Sequence, residues 1–226
     1  ENQYMNGDCQ KAINGFKDYI SKYPDGAFYA SANYYLADCL MKNAQKQEAL
    51  QAYENIISKP KNEFTEKAIL KAANLNFENN NYETALQEFC LLEQTAEISN
   101  HKLQALLGEM ECYYLLNKFD STIIVSNKIL SLEKTDENIS EKASYYLAKS
   151  LLKNANSGQA IEEFKKLTSA KNNEYASEAQ YTLAEIQYNN GNLEGAEKII
   201  LEITSNPSSE FWLAKAFILW ADIFKQ

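Results

Sequence analysis

The chain has 226 residues, ample for a sizeable core, and its 31 acidic against 22 basic residues give a net charge of −9. Only 7 Gly and 3 Pro are present, which excludes a many-stranded sandwich or barrel, and 45% hydrophobic with 12% aromatic residues excludes disorder. Every basic residue is Lys; without Arg, an acidic chain is a poor nucleic-acid binder, because phosphate contacts need clustered cations and base reading favours guanidinium.

An all-helical chain remains, and its apolar residues recur at a fixed period. In chain order, helical periodicity predicts elements over about 8–22, 27–42, 46–58, 63–79, 82–95, 99–116, 120–131, 138–154, 157–168, 172–190, 193–204 and 208–225, with a stub before Gly7 closing an earlier helix. Ala12, Ala49, Ala85, Thr122, Ala160 and Ala196 are spaced by 37, 36, 37, 38 and 36 residues. Four residues after each stand Phe16, Tyr53, Phe89, Ser126, Phe164 and Ile200, on the same helical face. Twelve residues before five of these anchors lie Ala37, Ala73, Met110, Ala148 and Ala184, and the phase extends forward to Ala221. The constant offset describes a helical hairpin; the varying remainder is the connection between hairpins. The fourth unit departs most, with Met110 and Thr122 replacing two small anchors.

Punctuation follows the same register. Pro24, Pro60 and Pro207 fall where second helices should stop. Gly7 and Gly191 lie five residues before their anchors, in the turn within a hairpin. Asn residues such as Asn43, Asn80, Asn117 and Asn154 cluster there as well, and Asn tolerates the left-handed conformation that ends a helix.

The chemistry-bearing residues are few. Cys9, Cys39, Cys90 and Cys112 are too far apart for a metal-binding pair motif and read as buried free thiols, with a Cys39–Cys112 bridge as the alternative if the fold joins them. His101 is the only histidine, so no His-dependent triad or multi-His metal site can be assembled; it is expected to face solvent or sit near a helix cap. No Walker loop, nucleophile elbow or dinucleotide fingerprint is present, and Glu162-Glu163 point to different helix faces. No enzyme activity, metal or cofactor is expected. The longest apolar run, Ala216–Ala221, is far short of a membrane span.

The hairpin with Leu36-Ala37, Ala49-x3-Tyr53 and Pro60 resembles the tetratricopeptide repeat. So do Leu147-Ala148 with Ala160-x3-Phe164, and Leu183-Ala184 with Ala196 and Pro207. The resemblance implies a right-handed α-α superhelix of about six helix–turn–helix repeats. It gives a single solenoid domain over 1–226, with units near 1–26, 27–62, 63–98, 99–136, 137–171 and 172–207 and a partial one at 208–226. Phe16-x2-Tyr19-x3-Tyr23-Pro24-Asp25 followed by Ala32-x-Tyr34-Tyr35-Leu36-Ala37 is similar to a bacterial cell-envelope subset that includes the periplasmic TolA-binding protein and the outer-membrane assembly lipoprotein. That subset would favour a periplasmic or outer-membrane-associated location. Because the chain opens on Glu1 and closes on an unpaired first helix, it is expected to be a piece of a longer solenoid whose continuation covers Phe211, Trp212, Phe217, Trp220 and Phe224.

In such repeats the first helices line a concave groove. Residues three before, one after and four after each first-helix anchor share one face. They include Tyr34, Asp38, Asn74, Phe77, Glu111, Tyr114, Tyr145, Lys149, Tyr181, Glu185 and Tyr188. This aromatic, acidic stripe implies an interaction scaffold for a peptide or protein of basic or neutral polar character. The alternatives are a structural segment of a large envelope assembly with end-to-end contact through Phe211, Trp212 and Trp220, and a glycan-binding solenoid, since Tyr and Asn can stack on and hydrogen-bond to sugars.

Overall fold

A computed structural model describes residues 2–133, 135–171, 173–205 and 207–225. Among them every regular element is an α-helix. The stub α1 (Asn2–Met5) precedes α2 (Cys9–Lys22), α3 (Tyr29–Lys42), α4 (Lys46–Ile57), α5 (Thr65–Glu78), α6 (Tyr82–Thr95) and α7 (Ser99–Leu115). Then come α8 (Phe119–Leu130), α9 (Glu137–Lys153), α10 (Ser157–Leu167), α11 (Asn173–Asn189), α12 (Leu193–Ser205) and α13 (Glu210–Ile223). The helix–turn–helix repeat expected from the sequence is therefore present, and the boundaries fall within two residues of those the periodicity predicts. The prolines follow the ends of α2, α4 and α12, where the missing N–H costs no helical hydrogen bond.

The turns inside the hairpins share one device. Gly7, Ala44, Asn80, Asn117, Ala155 and Gly191 all have φ between 56° and 78°, and each lies five residues before its anchor. Around five of these residues, two nested hydrogen bonds close the preceding helix. At Ala44, for example, its N–H donates to Met41 O at 3.0 Å and the Gln45 N–H to Leu40 O at 2.8 Å. This pairing satisfies carbonyls that a helix end otherwise leaves open. The left-handed residue is one position later than Asn43 and Asn154, so at two turns the strained conformation falls on Ala, which has no favourable local interaction to offset it. At Asn156 and Asp8 the side chain then caps the next helix, accepting from Gln159 N and Lys11 N.

The chain forms two compact units, Glu1–Leu116 and Asn117–Gln226, the boundary falling in the turn after α7. In the first unit one core cluster joins Ala12, Ile13, Phe16, Leu36, Ala37, Leu40, Ala49, Tyr53 and Ile56, and a second joins Ala73, Ala85, Phe89 and Cys112. In the second unit Leu147, Ala148, Leu151, Ala160, Phe164 and Leu183 form one cluster, and Ala184, Ile200, Ile203, Ala216 and Leu219 another. Every anchor from Ala12 to Ala196 is buried, because an Ala there lets the facing helix approach closely and the large residue at i+4 fills the remaining gap. A fully buried Phe such as Phe164 contributes about 1.5–3 kcal/mol by transfer alone.

The structure corrects several expectations. Ala221 is exposed, since α13 buries Ala216 and Leu219 and no described element packs over its far end. In the fourth hairpin, Met110 and Thr122 are nonetheless fully buried; Thr122 Oγ1 returns its hydroxyl to Lys118 O at 3.2 Å. Within the first unit, Gly108 on α7 lets that helix approach α6 closely, and a Cβ at Gly108 would collide with the Phe89 ring. Cys9 and Cys39 are neither free nor paired with Cys112: they form a disulfide, with Cα atoms 5.1 Å apart. The pairing α2–α3 spans two hairpins, which is why spacing along the chain did not expose it. Cys90 and Cys112 are free, and burial pushes the Cys112 thiol up to about 12. His101 lies in the first turn of α7 but does not face solvent. Its Nδ1 is 2.9 Å from Glu66 Oε2, and both side chains are largely buried.

Candidate functional site

The predicted first-helix residues divide by the compact unit that holds them. In the first unit Tyr34 is committed to packing: its ring meets Phe64 at 5.1 Å, Tyr35 at 6.0 Å and Tyr53 at 6.1 Å. Asp38 is also engaged, accepting from Tyr4 Oη at 2.9 Å and pairing with Lys42 at 2.7 Å. Burial, followed by the Asp38 acceptor, pushes the Tyr4 hydroxyl up to about 12, so Tyr4 stays a donor. Asn74 is exposed, and Phe77 meets Tyr82 edge-on across the turn at 5.4 Å. Glu111 and Tyr114 are half-buried on α7, and each has an interaction of its own.

The first unit also holds an ionic knot that the stripe did not include. Glu66 on α5 is buried and accepts from the amides of Glu97 and Ile98, just ahead of α7, at 2.9 and 3.4 Å. Burial works against its charge, yet these amides and the His101 ring outweigh it and hold the carboxyl below its usual range. This arrangement ties one first helix to the next and leaves His101 a structural role.

The second unit brings its residues together. Tyr145 on α9 stacks on Tyr175 of α11, with centroids 4.4 Å apart and planes 20° from parallel. Its hydroxyl donates to Glu178 Oε2 at 2.7 Å, and Lys149 pairs with Glu178 Oε1 at 2.7 Å. One turn further along α11, Tyr181 donates to Glu185 at 3.0 Å and its ring faces Trp212 of α13 at 5.3 Å. Burial, followed by the Glu185 carboxylate, pushes the Tyr181 hydroxyl up to about 12. Tyr188 packs against the α11–α13 core instead of lining this face. Between α9, α11 and α13 lies a cleft of about 200 Å³ lined by Lys149, Lys153, Glu178, Tyr181, Thr182, Glu185, Trp212 and Lys215.

Glu178 and Lys215 escaped the sequence reading for an identifiable reason. Both stand six residues before their anchors, one turn beyond the −3 position where the stripe was cut, and so on the same face. Extending the pattern by that turn finds them. Trp212 was noticed only as part of an apolar last helix; its indole N–H donates to Glu174 at 3.1 Å, which turns its ring into the cleft wall. Among the described residues no helix is long and apolar enough to cross a membrane.

Comparison with known proteins agrees with the repeat. Two family models described as tetratricopeptide repeat match this chain, one over residues 145–210 and the other over residues 1–26 and 31–62. No curated protein matches significantly. Among solved structures, YrrB, described as a tetratricopeptide-repeat protein with an unusual peptide-binding site, is similar over 88% of this chain and 96% of its own, at 15% identity and a TM-score of 0.64. MamA from Desulfovibrio magneticus RS-1 covers 82% of this chain and 98% of its own, at 14% identity and a TM-score of 0.65. PilF of Pseudomonas aeruginosa covers 95% and 91%, at 13% identity and a TM-score of 0.57. At these identities the likeness is one of fold. Helical hairpins in register from Ala12 to Ala196, together with matching repeats at both ends of the chain, make this a tetratricopeptide-repeat protein.

Proposed function

We propose that the chain is a non-catalytic scaffold that binds a peptide or protein segment along the face of its first helices. Proteins built from this repeat generally mediate protein–protein contacts, and YrrB is described as having a peptide-binding site. The observation that carries the reading is the cleft between α9, α11 and α13. It combines the aromatic rings of Tyr181 and Trp212 with lysines and carboxylates on three successive first helices. Aromatic side chains with polar tips supply contact area at little entropy cost, which is what a peptide groove needs. On the first unit Asp38 is already paired with Lys42, so a basic or neutral polar stretch there is favoured by Asn74 and Glu111 and by the net charge of −9.

The test uses dodecapeptides selected from a random phage-displayed library. Tyr145→Glu and Tyr181→Glu place a charge in the stacked walls and should abolish binding of the selected peptides while far-ultraviolet circular dichroism stays unchanged. Retained binding by both variants sinks the groove.

A second reading has its own observation. Phe211, Phe217 and Ile218 on α13 and Phe224 at its C-cap expose between 49% and 73% of their surface. Contact through this end, with Phe211, Trp212 and Trp220 at its centre, would make the chain one segment of a larger assembly. Trp220 and Trp212 each have a carboxylate partner, Glu197 and Glu174. Under this reading, substitutions in the cleft are silent and Phe217→Asp with Phe224→Asp changes the assembly seen by light scattering. A place at a bacterial envelope rests on the Phe16–Asp25 and Ala32–Ala37 segments alone.

A further inference from the structure

The cleft of the second unit carries a local charge opposite to that of the whole chain. Three lysines line it, Lys149, Lys153 and Lys215, against Glu178 and Glu185. Glu178 is neutralised by Lys149, whereas Glu185 keeps its charge, so three lysines against two carboxylates leave the lining at +1. Glu178 accepts from Tyr145 and pairs with Lys149, and Glu185 accepts from Tyr181. Lys153 and Lys215, by contrast, have no acid within ion-pair distance among the described residues. Lys215 is instead held 4.9 Å from the Trp212 ring, 5.2 Å from Phe211 and 5.4 Å from Tyr181. Three ring faces fix the ammonium in place without discharging it, since a ring offers no counter-ion. Thr182, nearly buried, adds a hydroxyl to the same wall.

Building on the peptide-groove reading, we infer that this cleft takes the carboxylate of an acidic side chain from the bound segment, between Lys153 and Lys215 and beside Trp212. An ammonium is a point charge with three rotatable donors, so two of them can grip a carboxylate without the fixed fork that Arg would impose. The acidity of the rest of the chain does not prevent this. At physiological salt the screening length is about 8 Å, so acids elsewhere on the chain count little, and Glu174, beside the cleft, accepts from the Trp212 indole N–H. The partner is thus acidic at this point, whereas the composition of the whole chain argues for a basic or neutral one. Because the groups are partly exposed, the preference weakens as salt rises.

A random dodecapeptide library, displayed so that no peptide ends in a free carboxylate, tests this. It is selected in parallel on the unaltered chain and on Lys153→Gln with Lys215→Gln, both surface substitutions whose folding is checked by circular dichroism. Peptides from the unaltered chain should be enriched at least twofold in Asp and Glu over the input. A synthetic, end-blocked copy should lose about tenfold in affinity when its Glu becomes Gln, and the enrichment should vanish with the double variant. Selected peptides without acid enrichment, or with equal enrichment on both proteins, overturn the carboxylate assignment while the groove stands, provided Tyr181→Glu still removes binding. If no peptide is selected, the groove reading falls and this inference falls with it.

Discussion

The hydroxyl of Tyr145 on α9 donates to Glu178 on α11 at 2.7 Å, and Lys149 closes the triangle at 2.8 Å from Tyr145 Oη and 2.7 Å from Glu178 Oε1. One phenol therefore orders two opposite charges across consecutive first helices. Tyr145→Phe keeps the stack on Tyr175 but leaves Glu178 with one donor fewer. Hydrogen bonds to charged groups contribute about 1.5–3 kcal/mol, and partial exposure lowers this, so a loss of about 1–2 kcal/mol is expected by urea unfolding. Tyr145→Ala also loses the ring and should cost more. Equal stability of Tyr145→Phe and the parent would show the triangle to be ornamental.

Ala44 and Ala155 occupy left-handed turns at φ 58° and 56°. A non-glycine residue there costs about 1–2 kcal/mol, part of which glycine returns as extra freedom in the unfolded chain. Ala44→Gly and Ala155→Gly should each stabilise the protein by up to about 1 kcal/mol. Gly191→Ala, at φ 77° with open space around its Cα, should destabilise by a similar amount for conformational reasons alone. Thermal unfolding of the three variants checks the sign.

Gly108 faces the Phe89 ring, which is itself buried. Gly108→Ala should destabilise by about 1–3 kcal/mol through overpacking, against the usual gain from replacing a helical glycine. Adding Phe89→Leu should recover part of that loss, which separates crowding from backbone effects in a double-mutant cycle.

The Cys9–Cys39 bridge closes a separation of 30 residues. Loop-closure entropy for a ring of this size favours the folded state by about 3–4 kcal/mol. Dithiothreitol, or Cys9→Ser with Cys39→Ser, should lower the unfolding midpoint. Peptide mapping without reduction should recover Cys9 linked to Cys39, with the buried Cys112 alkylated only after denaturation.

Glu88 on α6 is largely buried, and this burial pushes its carboxyl up to about 7 against the opposing hydrogen bond from Asn76 at 2.9 Å; Glu54 adds a smaller push. Its folded value is above the unfolded one, so the native state holds the proton more tightly between roughly pH 4.5 and 7. The contribution is fully present below that window and is lost as pH rises through 7. Glu88→Gln should therefore be more stable than the parent at pH 8 and nearly equal to it at pH 5, read by chemical denaturation at both values.

The repeat was legible because its signal is steric and local. An Ala followed by a large apolar residue at i+4 recurs wherever two helices must approach, and the prolines and turns obey the same count. Even the odd fourth unit kept its period, with Met110 and Thr122 fully buried at the two anchor positions. The site was less legible because one face serves two purposes. Tyr34 and Tyr181 occupy equivalent positions, yet the first fills a core beside Tyr53 and Phe64 and the second walls a cleft. The difference depends on what the next first helix offers, namely Phe64 ahead of α5 or Trp212 on α13. The charges were hidden for the same reason. Counting acids along the stripe does not reveal that Lys149 is paired with Glu178, a residue outside the stripe, and that Lys215 is held by aromatic rings instead of a carboxylate.

Where a bound peptide touches the chain tests the groove most directly. With a photoreactive benzoylphenylalanine placed either at Leu152, in the cleft lining, or at Lys198, on the exposed face of α12, a selected dodecapeptide should cross-link from the first position and not from the second. Cross-linking from Lys198 alone would contradict a binding face built on the first helices.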